Sequence, residues 1–233
     1  MNVRSILSFP GNFIRVYIKL AVNQGPFTAL RFVLLENYYH FKYRIKTPYR
    51  YESIESTNQL SAQKDAVENV PGSYYLFHLG LDKIKLPPEK ISLLDMGCGS
   101  GRFVSVGIQR GFAHVRGVDL DKTGLEVAKG NAALASAKGG GKSKYELIFQ
   151  DAGSYAIPDD VNLLYFFNPF GSKTMQFVVN NIIESYSQKP RDIYVIYNLP
   201  AAEYLFIQAG FKEIYTLDSR RQKELSVLKL AAQ

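Results

Sequence analysis

From residue 91 onward, short runs rich in Val, Ile, Leu, Phe and Tyr alternate with longer segments whose apolar positions recur every three to four residues. The first kind of run predicts strands over 91–96, 113–119, 145–150, 161–167 and 192–197. The second predicts helices over 102–110, 123–137 and 173–187. Such alternation implies crossover units and a mostly parallel sheet, so the fold class is α/β, doubly wound, with seven strands. The tail breaks the rhythm. Runs over 211–217 and 224–230 are joined by a link long enough for a hairpin and too short for a helical crossover, which adds an antiparallel C-terminal hairpin. Upstream, 73–85 predicts a helix stopped by Pro87-Pro88.

The first fifty residues follow another pattern. Phe13, Ile14, Tyr17, Ile18 and Ala21 recur at helical spacing, and 30–43 carries Phe32, Val33, Leu34, Leu35, Tyr38, Tyr39 and Phe41. Two short helices around Gln24-Gly25-Pro26 are expected. Eight of the 28 Lys and Arg residues lie in 1–50 against one acid, Glu36, whereas 51–233 holds 20 of each sign. The net charge of +7 therefore belongs to an arm, 1–56, and the domain proper is expected over 57–233. Two readings of the arm stay open: a surface that meets lipid headgroups, nucleic acid or acidic proteins, or a helical pair packed on the domain with its cations in water.

The 233 residues fit one medium domain with an appendage. The longest stretch without a charge, 69–81, is far short of the ~18 apolar residues of a membrane span. Cys98 is the single cysteine and the three histidines are scattered, so neither a disulfide nor a zinc cluster is expected. A cytoplasmic protein, at most peripheral to a membrane through its arm, is the expectation.

Chemistry concentrates in Leu93-Leu94-Asp95-Met96-Gly97-Cys98-Gly99-Ser100-Gly101-Arg102, a buried strand running into a Gly-rich turn and then a helix. Glycines let the backbone turn sharply and a ligand approach closely, and the first N–H groups of the helix attract an anion. At the end of the next strand, Asp119 is placed to accept hydrogen bonds from ribose hydroxyls. The pair implies a nucleoside-containing ligand. A dinucleotide turn wants its third glycine one position later than Gly101, which disfavours NAD.

The string Leu-Asp-Met-Gly-Cys-Gly-Ser-Gly resembles the first motif of class I S-adenosylmethionine-dependent methyltransferases, and the resemblance extends over about 71–230. It implies that S-adenosyl-L-methionine is the cofactor. Asp95 and the turn at Gly97, Cys98, Gly99 and Gly101 would hold its methionine end, Asp119 its ribose, and Leu120 the adenine face. Asp151 and Ala152, at the end of the third strand, match the adenine-edge position; the plainer reading of Asp151 is a turn cap.

At the end of the fourth strand, Tyr165-Phe166-Phe167-Asn168-Pro169-Phe170-Gly171 resembles the Asn/Asp-Pro-Pro-Tyr/Phe motif of amino-methylating enzymes, without its second proline. It is closer to a short prokaryotic group related to the non-SET histone-lysine methylases. Asn168, Pro169 and Phe170 are the expected catalytic residues. The acceptor is then a nitrogen of a protein side chain or small molecule rather than nucleic acid. Tyr165, Phe167, Phe170, Tyr197 and Tyr74 or Tyr75 are candidates to line its pocket. Two rival readings remain: an NAD-type oxidoreductase, and a non-catalytic nucleoside-binding module acting through its basic arm.

Overall fold

The computed structural model describes residues 18, 21–22, 25–47, 72–220 and 222–232. The first expected arm helix lies almost entirely outside them. Helix α1 (Pro26–Tyr43) starts on a proline and ends at Arg44, which takes a left-handed conformation. Helix α2 (Tyr74–Leu81) follows. The body then runs β1 (Ser92–Met96), α3 (Arg102–Gln109), β2 (His114–Asp119), α4 (Lys122–Lys138), β3 (Lys144–Phe149), β4 (Leu163–Phe167), α5 (Ser172–Gln188), β5 (Ile193–Asn198), α6 (Glu203–Gln208), β6 (Lys212–Asp218) and β7 (Lys223–Leu230).

The seven strands form one sheet in the order β3-β2-β1-β4-β5-β7-β6. β1 to β5 pair in parallel, and β7 runs antiparallel to both β5 and β6. Side-chain burial follows position in this order. Central β1 (Ser-Leu-Leu-Asp-Met) and β5 are buried at every residue, whereas β3 and β6 at the edges are mostly exposed. One core lies on the face covered by α2, α3 and α4, around Leu93, Phe103, Val115, Ala132, Leu163, Tyr165 and Ile196. The other lies under α5 and α6, around Leu94, Phe166, Met175, Ile182, Tyr197 and Phe206. Tyr43 and Ile45 belong to the first core, so the described part of the arm packs on the body.

Two elements differ from expectation. Helix α2 stops at Leu81, not Lys85, because the next backbone N–H groups, of Lys83 and Ile84, bond back to Gly80 and Leu81 and fold buried Ile84 into the core. Helix α6 has no counterpart among the predicted elements. Its six residues are too few to show a helical period, and Leu205 and Phe206 are held helical by burial against the second core.

Candidate active site

The carboxyl ends of β1 and β2 meet in one polar constellation. The turn after β1 takes positive φ at Gly97 (81°), Gly99 (50°) and Gly101 (70°). A Cβ at Gly101 would lie 2.8 Å from the Ala128 methyl on α4, so only glycine lets that helix pack here. The Gly97 and Cys98 N–H groups both donate to the Val118 carbonyl, at 2.9 and 3.2 Å. One Asp119 oxygen accepts from the Gly99 N–H at 2.6 Å and the other from the Asp121 N–H at 2.8 Å, closing a tight turn around half-buried Leu120. Asp119 thus pins both loops. Burial raises its carboxyl above the ordinary value, against the pull of those N–H bonds.

Asp95 is buried, and its Oδ2 has no hydrogen-bond partner. Burial first, and the neighbouring Asp119 charge second, push its carboxyl well above the ordinary range; the Val104 N–H opposes them. Burial also pushes the Cys98 thiol up, which leaves it protonated and inert. On β3's side, Asp151 accepts from the Gly153 N–H at 2.8 Å and caps the single turn Ala152–Ser154. Asn181 on α5 steadies that turn by donating to the Gly153 and Tyr155 carbonyls.

The turn after β4 leans on the turn after β1. A Cβ at Gly97 would meet the Pro169 Cβ at 2.6 Å, so the Gly-rich turn and the Asn168-Pro169 turn touch. Asn168 has φ 37°, an uncommon conformation for a residue with a side chain. Phe170, by contrast, is buried in the core beneath α5 together with Tyr197. Tyr165 and Phe167 belong to the opposite face, with Tyr74 and Tyr75. The expected aromatic lining is therefore divided between two faces of the sheet.

The sequence model of the ribosomal protein L11 methyltransferases (PrmA) matches residues 79–183, from α2 through most of α5, which include every candidate cofactor residue. The chain is a class I S-adenosylmethionine-dependent methyltransferase. The fold agrees. The precorrin-6y C5,15-methyltransferase of Geobacter metallireducens matches with a TM-score of 0.55 at 11% identity, over 72% of this chain and 93% of that one. An RNA methyltransferase of Salinibacter ruber, solved with S-adenosyl-L-homocysteine, matches at 0.50 and 16% identity, over 70% and 94%. A methyltransferase of Methanosarcina mazei does so at 0.50 and 15%, over 70% and 100%. No curated protein matches the chain in sequence.

The methyltransferase has residues that fit its cofactor. A buried carboxyl oxygen with no partner suits an ammonium such as that of the methionine end. Among the described residues no His, Cys, Asp or Glu cluster is arranged to hold a metal, and no helix is long and apolar enough to cross a membrane.

Two further groups carry no signal in the sequence pattern. Asn198 ends β5 beside Phe167 of β4 and is fully buried; its Nδ2 donates to the Tyr165 hydroxyl at 3.0 Å, while its Oδ1 has no partner. A lone Asn after a hydrophobic run carries no such signal in sequence. The second group links the arm to the cofactor turn. Arg102, directly after Gly101, donates to the Gly72 carbonyl at 2.7 Å and the Thr47 hydroxyl at 2.8 Å, and stacks over the Tyr74 ring. It also lies 3.5 Å from Glu36 on α1, which accepts from the Ser73 hydroxyl and from the Tyr74 and Tyr75 N–H groups at the start of α2. His78 serves packing: it stacks on Tyr39, its ring nitrogens meet Tyr43 and Arg110, and burial lowers its pKa to about 3.

Proposed function

We propose that the methyltransferase transfers a methyl group to an amine nitrogen of a protein side chain, in the cytoplasm, with Asn168 orienting the acceptor. The observation that carries this reading is the pair of asparagines at the carboxyl ends of the adjacent strands β4 and β5: Asn168 at positive φ and Asn198 with an unpartnered Oδ1. Amide oxygens accept N–H bonds, and the peptide before Pro169 offers a further backbone carbonyl in a place where no N–H competes. An amine held by such acceptors has its lone pair directed away from them. The likeness to ribosomal protein L11 methyltransferases supports a protein acceptor.

The bound cofactor supplies an electrophilic methyl group on a sulfonium. Asp95 would hold its ammonium, Asp119 its ribose hydroxyls, Leu120 its adenine face, and Asp151 with Ala152 the adenine edge. Displacement at a methyl needs alignment and exclusion of water more than a dedicated base. The protein's own contribution is a fixed turn: Gly97 packed on Pro169, and Asp119 pinning the loops. The acceptor amine must arrive deprotonated, and the apolar surroundings of Tyr165 and Phe167 favour the neutral form.

Calorimetric titration with S-adenosylmethionine, S-adenosylhomocysteine and NAD tests the cofactor site, with binding of the first two alone expected. Incubation with methyl-tritiated cofactor, a mixed protein fraction, RNA and small amines then tests the acceptor. Label recovered as methyl-lysine after protein hydrolysis is the expected result; label confined to RNA or to a carbon or oxygen acceptor overturns the reading.

A further inference from the structure

Helix α1 carries two apolar faces. Its inner face, Ala29, Val33 and Tyr43 with half-buried Phe32, Glu36 and Tyr39, lies against the body. On the opposite side Phe27, Leu30, Leu34, Tyr38 and Phe41, spaced three and four apart, form a second stripe along the 18-residue helix. All five are exposed, Phe27 to 88% and Phe41 to 67%. Isolated exposed apolar residues are ordinary, but a continuous stripe that includes two phenylalanines marks a contact surface.

Charge identifies the partner. Arg31 and Lys42 flank the stripe on one side, and exposed Arg44 and Lys46 follow the helix end. The single carboxylate of residues 1–50, Glu36, is turned inward onto the start of α2 and Arg102, so the acid never faces the stripe. Among the described residues of α1, the outer side therefore offers apolar side chains and cations and no carboxylate. A nucleic acid would use the cations and leave Phe27, Leu34 and Phe41 in water. An anionic bilayer uses both, with the rings in the acyl boundary and the Lys and Arg heads among the phosphates.

We propose that the outer face of α1 docks the methyltransferase in the plane of an anionic lipid bilayer, as a peripheral contact separate from its catalytic site. The proposal is independent of the acceptor's identity.

Co-sedimentation of the full chain with vesicles of equimolar phosphatidylcholine and phosphatidylglycerol tests it, with phosphatidylcholine vesicles and high salt as controls. Binding to the anionic vesicles, weakened by salt, is expected. The triple variant Phe27→Ser, Leu34→Ser, Phe41→Ser should lose it, and Arg31→Gln with Lys42→Gln should weaken it roughly tenfold or more. Both variants should keep the wild-type melting temperature and affinity for S-adenosylmethionine, because none of these side chains touches the cofactor turn. Failure of the wild type to sediment, or equal binding by the triple variant, overturns the proposal. So does a wild-type dimer that the triple variant converts to monomer without any vesicle binding, which would assign the stripe to a second copy of the chain.

Discussion

The two ends of the sheet treat their polar groups in opposite ways. At the amino ends of β1 and β2, Arg116 reaches Asp160 at 3.1 Å and Ser92 at 3.1 Å, Ser92 also donates to Asp160, and the Asn162 side chain accepts from the Ser92 N–H at 2.8 Å and donates to the Lys90 carbonyl at 2.7 Å. Each of these polar side chains has partners. Partial burial works against the Asp160 charge, yet the Arg116 and Ser92 bonds hold its carboxyl below the ordinary value. At the carboxyl ends, Asp95 Oδ2 and Asn198 Oδ1 are buried without partners, and Gly97, Gly99, Gly101, Asn168 and Leu199 all take positive φ. Unpartnered buried groups and strained turns destabilise a fold unless a ligand completes them. The contrast separates an end whose polar side chains pair with one another from one that keeps unpartnered buried oxygens and turns at positive φ.

The largest test of that contrast is Asp119→Ala. It removes the proposed ribose acceptor and the pins on Gly99 and Asp121, so cofactor affinity should fall by about 3 kcal/mol, the upper range for a bond to a charged group. Calorimetry would detect this, and unchanged affinity would remove Asp119 from the site. Asn168→Gly keeps the positive φ without strain but deletes the amide. Turnover should drop by roughly tenfold to a hundredfold with cofactor affinity unchanged, as for a lost positioning contact. A wild-type rate would assign the side chain to the turn alone.

Gly97→Ala tests the contact between the two turns. Its Cβ would sit 2.6 Å from Pro169 at a φ of 81°, and destabilisation of about 2 kcal/mol is expected in denaturant unfolding. A neutral result would mean that Pro169 moves freely.

The smallest effects, and the most direct comparison, come from Asp95→Asn and Asp160→Asn. Asp95 has a folded-state value well above the ordinary 3.8, so its contribution to stability is fully present below 3.8 and is lost as pH rises through the raised value. Its amide variant should melt higher than wild type at neutral pH without cofactor, by a few degrees at about 2–4 °C per kcal/mol, and bind S-adenosylmethionine less tightly. Below 3.8 the gain should vanish. Asp160 behaves in the reverse sense: its contribution is present above 3.8 and is lost as pH falls through the depressed value, so Asp160→Asn should melt lower at neutral pH. If both variants shift the same way, the two ends of the sheet do not differ as described.

Alternation of short β-rich runs with helical periods determined the α/β class, the parallel strands β1 to β5 and the C-terminal hairpin, because local patterning reports which face of each element is buried. The Gly-rich turn and Asp119 were legible for a similar reason: tight turns and strand ends demand particular residue types at fixed spacing. Tertiary structure alone decided what depends on elements distant in the chain. It set Asn198 beside β4, which turned an ordinary strand-ending residue into an unpartnered acceptor. It divided the aromatic residues between two faces, placing Phe170 and Tyr197 under α5 and Tyr165 under α2. It also turned Glu36 inward, which left α1 with a cationic apolar outer face. Sequence periodicity records that a residue faces an apolar surface; which surface that is, and whether its last hydrogen-bonding atom finds a partner there, depends on packing between segments that sequence spacing does not relate.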